Sequence, residues 1–232
     1  MLEINFGTWE IVIKRSSPEL VDLQVMYSKA AKTWHDSVSR LGFMNAYENL
    51  FMTLKNEGEL DKLKPNSNIL DAGIGTGALS VSLLNVFQQE LEIHGVDICE
   101  KMIRKAEKNL RVKNQNNFLR ISSAENLSYP NESFDLIISA HLIEHYSNPV
   151  GIIQELSRVL KKDGLLIIIT SKLGKLNGFH SLKWRYNSIP KETIHNIMNS
   201  SGIGSIKEYS LDSQKFFLPN QMSMAYLGRK SK

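Results

Sequence analysis

Asn68-Ile69-Leu70-Asp71-Ala72-Gly73-Ile74-Gly75-Thr76-Gly77 reads as a buried strand, a turn built on glycines, and a helix that begins near Gly77. Glycine adopts positive φ at little steric cost and has no side chain, so such a turn brings bare backbone close to a ligand. Asp71 stands at the carboxyl end of the strand, two residues before the first glycine. An acid there would face a cationic amino group, as on a nucleoside that carries an amino acid. Gly73, Gly75 and Ala78 also satisfy the G-x-G-x-x-(G/A) dinucleotide fingerprint, with Asp97 near the spacing of a ribose-binding acid. The turn alone leaves both ligands open, and the segments around it have to decide.

Downstream, Ala78 to Gln88 carries Leu79, Leu83, Leu84 and Phe87 at helical spacing. Leu91 to Val96 is a short strand ending at Asp97, and Lys101 to Arg111 a helix with Met102, Ile103, Ala106 and Leu110 on one face. Phe118–Ile121 and Phe134–Ser139 read as the third and fourth strands, Pro149 to Leu160 as a helix with proline in its first turn, and Gly164 to Thr170 as a fifth strand. That fifth strand is apolar on both sides, as a central parallel strand should be. Strands alternating with helices predict right-handed βαβ units, hence a doubly wound α/β fold with a mostly parallel sheet. Ligands bind such sheets outside the carboxyl ends of the strands, where Asp71, Asp97, Ser123 and Ser139 to His141 should converge.

Two parts are expected. Residues 1–60 form a hairpin (Ile4, Phe6, Ile11 and Ile13 around Gly7-Thr8) and a helical cap from Pro18 to Leu60, broken near Leu41-Gly42. Residues 61–232 form the ligand-binding domain, with a loop over 172–189, a helix over Pro190–Ser201, and two closing strands, Ile203–Leu211 and Phe216–Leu227, that bring the sheet to seven. Whether the hairpin covers the site or pairs with a second copy in a homodimer stays open.

The chain has 232 residues, 42% hydrophobic and 22% charged, enough to bury a large core. A formal net charge of +4, dispersed apart from the tail Arg229-Lys230-Ser231-Lys232, is no nucleic-acid footprint. Cys99 is the only cysteine, so no internal disulfide can form, which fits a reducing compartment. The start lacks the pattern of a signal peptide, and the longest apolar run, Leu165–Ile169, is too short to span a membrane. These features predict a cytoplasmic protein without a membrane span or a nucleic-acid partner.

Taken together, the segments resemble the class I S-adenosylmethionine-dependent methyltransferases, over about residues 66–171 and loosely through the last strands. The resemblance rests on Ile69-Leu70-Asp71-Ala72-Gly73-Ile74-Gly75-Thr76-Gly77, Gly95-Val96-Asp97, Ala124-Glu125-Asn126-Leu127, Phe134-Asp135-Leu136-Ile137, His141-Leu142-Ile143-Glu144-His145 and Arg158-Val159-Leu160-Lys161-Lys162-Asp163-Gly164. It is strongest to the small-molecule branch that includes the ubiquinone and menaquinone biosynthesis enzymes. It implies that Asp71, Gly73, Gly75 and Gly77 lie along the methionine part of S-adenosylmethionine, with S-adenosylhomocysteine as product and no metal. Asp97 would take both ribose hydroxyls, since one carboxylate can accept from two. Ser123, with Ala124 and Glu125, would meet the adenine where an acid is common in the family. Ile98 and Met102 either flank the purine or simply pack the core. His141 would line the methionine pocket. Tyr27 and Trp34, on one face of the cap helix, either close over the cofactor or only pack on the sheet. Lys32 and His35 are read as solvated.

Rival readings of the same residues fit less well. His141-Leu142-Ile143-Glu144-His145 matches the H-x-x-E-H of inverted zinc peptidases, but Asn148-Pro149 follows too soon for the long helix such a site needs. A dehydrogenase would leave that segment without a role, and a nucleotide-binding module without activity would not need the full set of cofactor residues. Ser139-Ala140-His141-Leu142 lacks the Pro-Pro-aromatic run of nucleic-acid amino-methylases. The resulting expectation is methylation of a small, largely apolar acceptor, at oxygen, with N- or C-methylation as the alternative. His145 either acts as a general base on the acceptor or only faces the substrate or packs, and Trp184 and Tyr186, with Arg185, contact the substrate or anchor their loop; His180 is given no role.

Overall fold

The computed structural model describes residues 2–6, 9–13, 20–113, 116–173, 187–213 and 218–231, with side chains from residue 21 onward. The expected hairpin forms as β1 (Leu2–Phe6) and β2 (Trp9–Ile13), a two-stranded sheet of its own in which Phe6 pairs with Trp9. Two helices follow, α1 (Leu20–Arg40) and α2 (Phe43–Asn56), separated at the expected break by Gly42 with φ of 84°.

The main sheet holds seven strands in the order β5-β4-β3-β6-β7-β9-β8. β3 (Asn68–Ala72), β4 (Glu92–Asp97), β5 (Asn117–Ile121), β6 (Phe134–Ala140) and β7 (Leu160–Ser171) are parallel to their neighbours in this set. β9 (Ser223–Lys230) runs antiparallel between β7 and β8 (Ile203–Ser210). Between the strands lie α3 (Ala78–Val86), α4 (Glu100–Arg111), α5 (Pro149–Val159), α6 (Lys191–Ser200) and the short α7 (Leu218–Met222). The fold is therefore the expected doubly wound α/β sheet. The larger boundary differences are in the fifth parallel strand, which starts at Leu160 rather than Gly164, and in the last strand, which starts at Ser223 because residues 218–222 turn through α7 first.

Alternation along the strands feeds two apolar layers. Ile69, Leu136 and Ile167 face a layer with α2 and α3, while Leu70, Ile137, Leu166 and Ile168 face one with α5 and α6. The chain runs from β3 outward through β4 and β5, then returns to place β6 on β3's other side. The carboxyl ends of β3 and β6 thus diverge at the switch point where such sheets hold ligands.

The two cap helices are anchored unequally. Helix α2 buries Phe43, Ala46, Tyr47, Leu50, Phe51 and Leu54 in the first layer. Fully burying one such side chain contributes about 1.5–3 kcal/mol, so α2 belongs to the core. Among the described side chains of α1, Leu23 and Ala31 are the buried ones, while Val21 and Val25 stay exposed. Its position depends more heavily on polar and aromatic contacts to the sheet's ligand-binding edge.

Candidate active site

The glycine turn takes the conformation its composition suggests: Gly73, Gly75 and Gly77 have φ of 73°, 53° and 80°, a region other residues enter at a cost. Gly73 and Ile74 donate their N–H groups to Val96 O (both 2.9 Å), which ties the turn to β4. Asp97, at the end of β4, accepts from Gly75 N–H (2.9 Å) at Oδ2 and from Cys99 N–H (2.8 Å) at Oδ1. Each oxygen keeps a further lone pair, so two neighbouring hydroxyls can still be received. Burial pushes the Asp97 carboxyl up to about 6, against the pull of the two N–H groups.

Asp71 is buried, and its Oδ2 accepts from Ser80 Oγ at 2.6 Å across the first turn of α3. Burial pushes it up to about 7, the Ser80 hydrogen bonds opposing and the nearby Asp97 adding to the rise. A cation bound beside these two acids would favour their ionised forms.

A cavity of about 930 Å³ lies over this edge of the sheet. Asp71, Gly73, Gly75, Asp97, Ile98, Met102, Ala124, His141 and His145 all line it, together with Tyr27 and Trp34 from α1. Tyr27 and Trp34 meet edge to face with ring centroids 5.5 Å apart. Tyr27 Oη reaches His145 Nε2 at 2.8 Å, and the two rings are T-shaped at 5.6 Å. Further along α1, Gln24 Nε2 donates to Ile98 O (3.0 Å), and Ala31 packs on Cys99 and Met102. Met102 is 1% exposed, so most of it serves packing.

Some expected residues fall elsewhere. Gly77 is absent from the cavity wall and instead lets α3 approach α4, where a Cβ would stand 3.5 Å from Ala106 and Leu110. Ser123 is also off the wall, its Oγ between Glu125 Oε2 (3.2 Å) and Tyr146 Oη (3.4 Å); Ser122 lines the cavity in its place. Glu125 is exposed. His35 is not solvated: its Nδ1 lies 3.4 Å from Thr76 Oγ1 and 3.2 Å from Asn109 Nδ2, joining α1 to the glycine turn and α4. Burial lowers its pKa, with Lys105 adding to the effect and Asp36 opposing it. Lys32 is exposed, as read. Trp184, Arg185, Tyr186 and His180 lie outside the described residues.

The H-x-x-E-H segment forms a single 3₁₀ turn, Ile143–His145, that sends its two imidazoles to different partners. His145 meets Tyr27, whereas His141 meets Ser171 and Ser223. The wall also includes residues the sequence did not single out: Phe43 and Tyr47 from α2, Tyr146, Ser171, Met222 and Ser223. Phe43 and Tyr47 share one face of a helix, a signal available in the sequence. The two serines come together only because Ser171 of β7 pairs with Ser223 of β9 in an antiparallel register.

Residues 70–168 match the family described as a methyltransferase domain. The demethylmenaquinone methyltransferase of Thermotoga maritima is 33% identical over 123 residues, 50% of this chain and 52% of that protein. The chain spans about half the length of the curated relatives it matches. Among solved structures, magnesium protoporphyrin IX methyltransferase from Synechocystis, with S-adenosylhomocysteine bound, is similar with a TM-score of 0.69 at 18% identity, covering 92% of this chain and all of that one (100%). The [4+2]-cyclase SpnF gives a TM-score of 0.74 at 15% identity, covering 94% of this chain and 98% of that one. Among the described residues, no helix is long and apolar enough to cross a membrane.

Proposed function

We propose that this chain, whose residues 70–168 are a methyltransferase domain of the class I S-adenosylmethionine-dependent kind, transfers a methyl group to a small, largely apolar acceptor, at oxygen. The observation that carries this reading is Asp97. It is aimed by Gly75 N–H and Cys99 N–H at the mouth of the glycine turn, inside a cavity roofed by Tyr27 and Trp34. The residues fit the donor: Asp97 for the ribose hydroxyls, bare backbone at Gly73 and Gly75 for the methionine part, Asp71 beneath its ammonium group, and Ile98 beside the purine.

S-adenosylmethionine would supply a methyl group on a positively charged sulfur, already activated for displacement. The protein's own contribution is then alignment, exclusion of water and acceptance of a proton. Tyr27 and Trp34 line the cavity, and attraction between an aromatic face and a cation is worth roughly 0.5–2 kcal/mol. A cavity of about 930 Å³ lies near the top of the range for small-molecule sites, roughly 300–1,000 Å³. It favours two small ligands together over a polymer. Oxygen is the proposed target because two imidazoles, His141 and His145, line the cavity, and imidazole is the side chain suited to taking a hydroxyl proton near neutral pH. His145 would take that proton through the Tyr27 hydroxyl that it binds.

A panel of phenols, alcohols, carboxylates and amines, read by release of S-adenosylhomocysteine, tests the reading. Turnover of hydroxyl compounds is expected. Turnover of amines alone would move the reaction to nitrogen, and turnover only on RNA or protein would remove the small-molecule reading.

A further inference from the structure

Helix α1 presents two neighbouring seams to the rest of the molecule. Tyr27, Ala30, Trp34, Val38 and Leu41 line the cavity. Gln24, Ser28, Ala31 and His35 recur at intervals of three and four residues and so share one face of the helix. The contacts of this second seam fall on the glycine turn, the loop after β4 and helix α4. Gln24 Nε2 donates to Ile98 O (3.0 Å), Ser28 Oγ lies 3.4 Å from Cys99 Sγ, and Ala31 packs on Cys99 and Met102. His35 Nδ1 lies 3.2 Å from Asn109 Nδ2 and 3.4 Å from Thr76 Oγ1. Thr76, between Gly75 and Gly77, belongs to the cavity wall, and His35 does not.

The direction of the His35 contact follows from geometry. Asn109 Nδ2 also donates to Thr76 O at 2.8 Å. A carbonyl oxygen only accepts, so the Asn109 amide turns its NH₂ group toward both partners. One hydrogen of that group goes to Thr76 O and the other to the imidazole. His35 Nδ1 is therefore an acceptor, and the ring proton sits on Nε2. The Thr76 hydroxyl can donate to the same lone pair. Three elements thus meet at one point: α1, the glycine turn and α4. Gly75 N–H is bonded to Asp97 Oδ2, and Ile98 and Cys99 follow Asp97 directly. The second seam of α1 therefore straddles the two segments that Asp97 ties together.

We propose that His35 is a positioning residue for methyl transfer: its Nδ1 lone pair hangs α1 on the glycine turn, so that the cap and the turn that holds the donor move as one unit. The inference rests on the methyl-transfer reading above. A donor lying along Gly73 and Gly75, with its ribose on Asp97, braces the two segments on which α1 rests. Its escape then requires α1 to lift, and the His35 contact resists that motion. His35 follows Trp34 directly and stands eight residues after Tyr27, so the same contact sets where those two rings lie in the cavity wall. His35 makes and breaks no bond of the reaction; it acts through the turn and the helix.

The rate at which S-adenosylhomocysteine leaves the full chain, followed by surface plasmon resonance, tests the clasp. His35→Ala and His35→Gln should raise that rate about two- to tenfold, the scale of one hydrogen bond. In His35→Asn the amide oxygen stands on Cγ, where the imidazole carries Nδ1, so this variant should return the rate close to the wild-type value. Asn109→Ala should match or exceed His35→Ala. The two changes together should cost less than the product of their separate factors, because they remove one shared contact. Hydrogen exchange over residues 20–40 should rise in the Ala and Gln variants with that of α2 unchanged, which separates release of α1 from loss of the fold. An Asn variant that behaves like the Ala variant, His35 variants that all release S-adenosylhomocysteine at the wild-type rate, or factors that multiply in full would each overturn the clasp. A wild type that fails to bind S-adenosylhomocysteine would overturn the methyl-transfer reading itself.

Discussion

Tyr27 Oη lies 2.8 Å from His145 Nε2, a hydrogen bond that joins the first cap helix to the turn after β6 across 118 residues of sequence. It joins other contacts that fix a helix burying little apolar surface, among them His35 on the glycine turn, Gln24 on Ile98 O and Ser28 on Cys99. Tyr27→Phe keeps the ring contact with Trp34 and removes the hydroxyl. A typical hydrogen bond contributes about 0.5–1.5 kcal/mol, so α1 should open about two- to tenfold more often. Hydrogen exchange over residues 20–40 should rise by that factor with exchange in α2 unchanged, and bound S-adenosylhomocysteine should suppress part of the rise.

Asp71 links the site to stability. Its folded pKa, about 7, lies above the ordinary carboxylate value because it is buried. A group raised in the folded state contributes stability that is fully present below its unfolded pKa and is lost as pH rises through the folded value. The ligand-free protein should therefore lose stability between about pH 4 and pH 7 on account of Asp71. Asp71→Asn, which cannot ionise, should melt closer to wild type at pH 5 than at pH 8, where its relative advantage is largest. An advantage that shrinks with rising pH would contradict the assignment.

Gly95 marks a packing limit beneath the turn. A Cβ there would stand 2.4 Å from Ile74 Cδ1 and 2.7 Å from Leu119 Cδ2. Overpacking of this kind costs about 1–3 kcal/mol. Gly95→Ala should lower the urea midpoint accordingly. Because Ile74 lies inside the glycine turn, the same change should weaken S-adenosylhomocysteine binding, and normal affinity at reduced stability would show that the turn is insulated from β4.

Much of this architecture is legible in the sequence because periodicity and glycine chemistry are local. The strand–turn–helix at Asn68–Gly77, the apolar run Leu165–Ile169 and the break at Gly42 all follow from residues within a few positions of one another. The candidate site is only partly legible. Asp97 can be placed from its strand end alone, but the distance from Tyr27 to His145 depends on how α1 lies across the sheet. The Ser171–Ser223 pair depends on the antiparallel insertion of β9, and no local pattern reports that register. A lone histidine on a polar helix face reads as solvated, and nothing near His35 in the sequence shows that Thr76 and Asn109 stand opposite it. Ser123 follows only from analogy of position, and the turn after β5 brings Ser122 to the wall instead.

Calorimetric titration with S-adenosylhomocysteine at pH 8 is the most direct measurement of the central claim. One binding site is expected, weakened by about 1–3 kcal/mol in Asp97→Ala, the range for losing a charged hydrogen-bond partner. Wild-type affinity should also fall as pH drops through about 6, where the buried Asp97 carboxyl takes up a proton and gives up one acceptor position. Tight binding of NADH with no heat from S-adenosylhomocysteine, or an Asp97→Ala variant that binds it as well as wild type, would contradict the assignment of this cavity to a methyl donor.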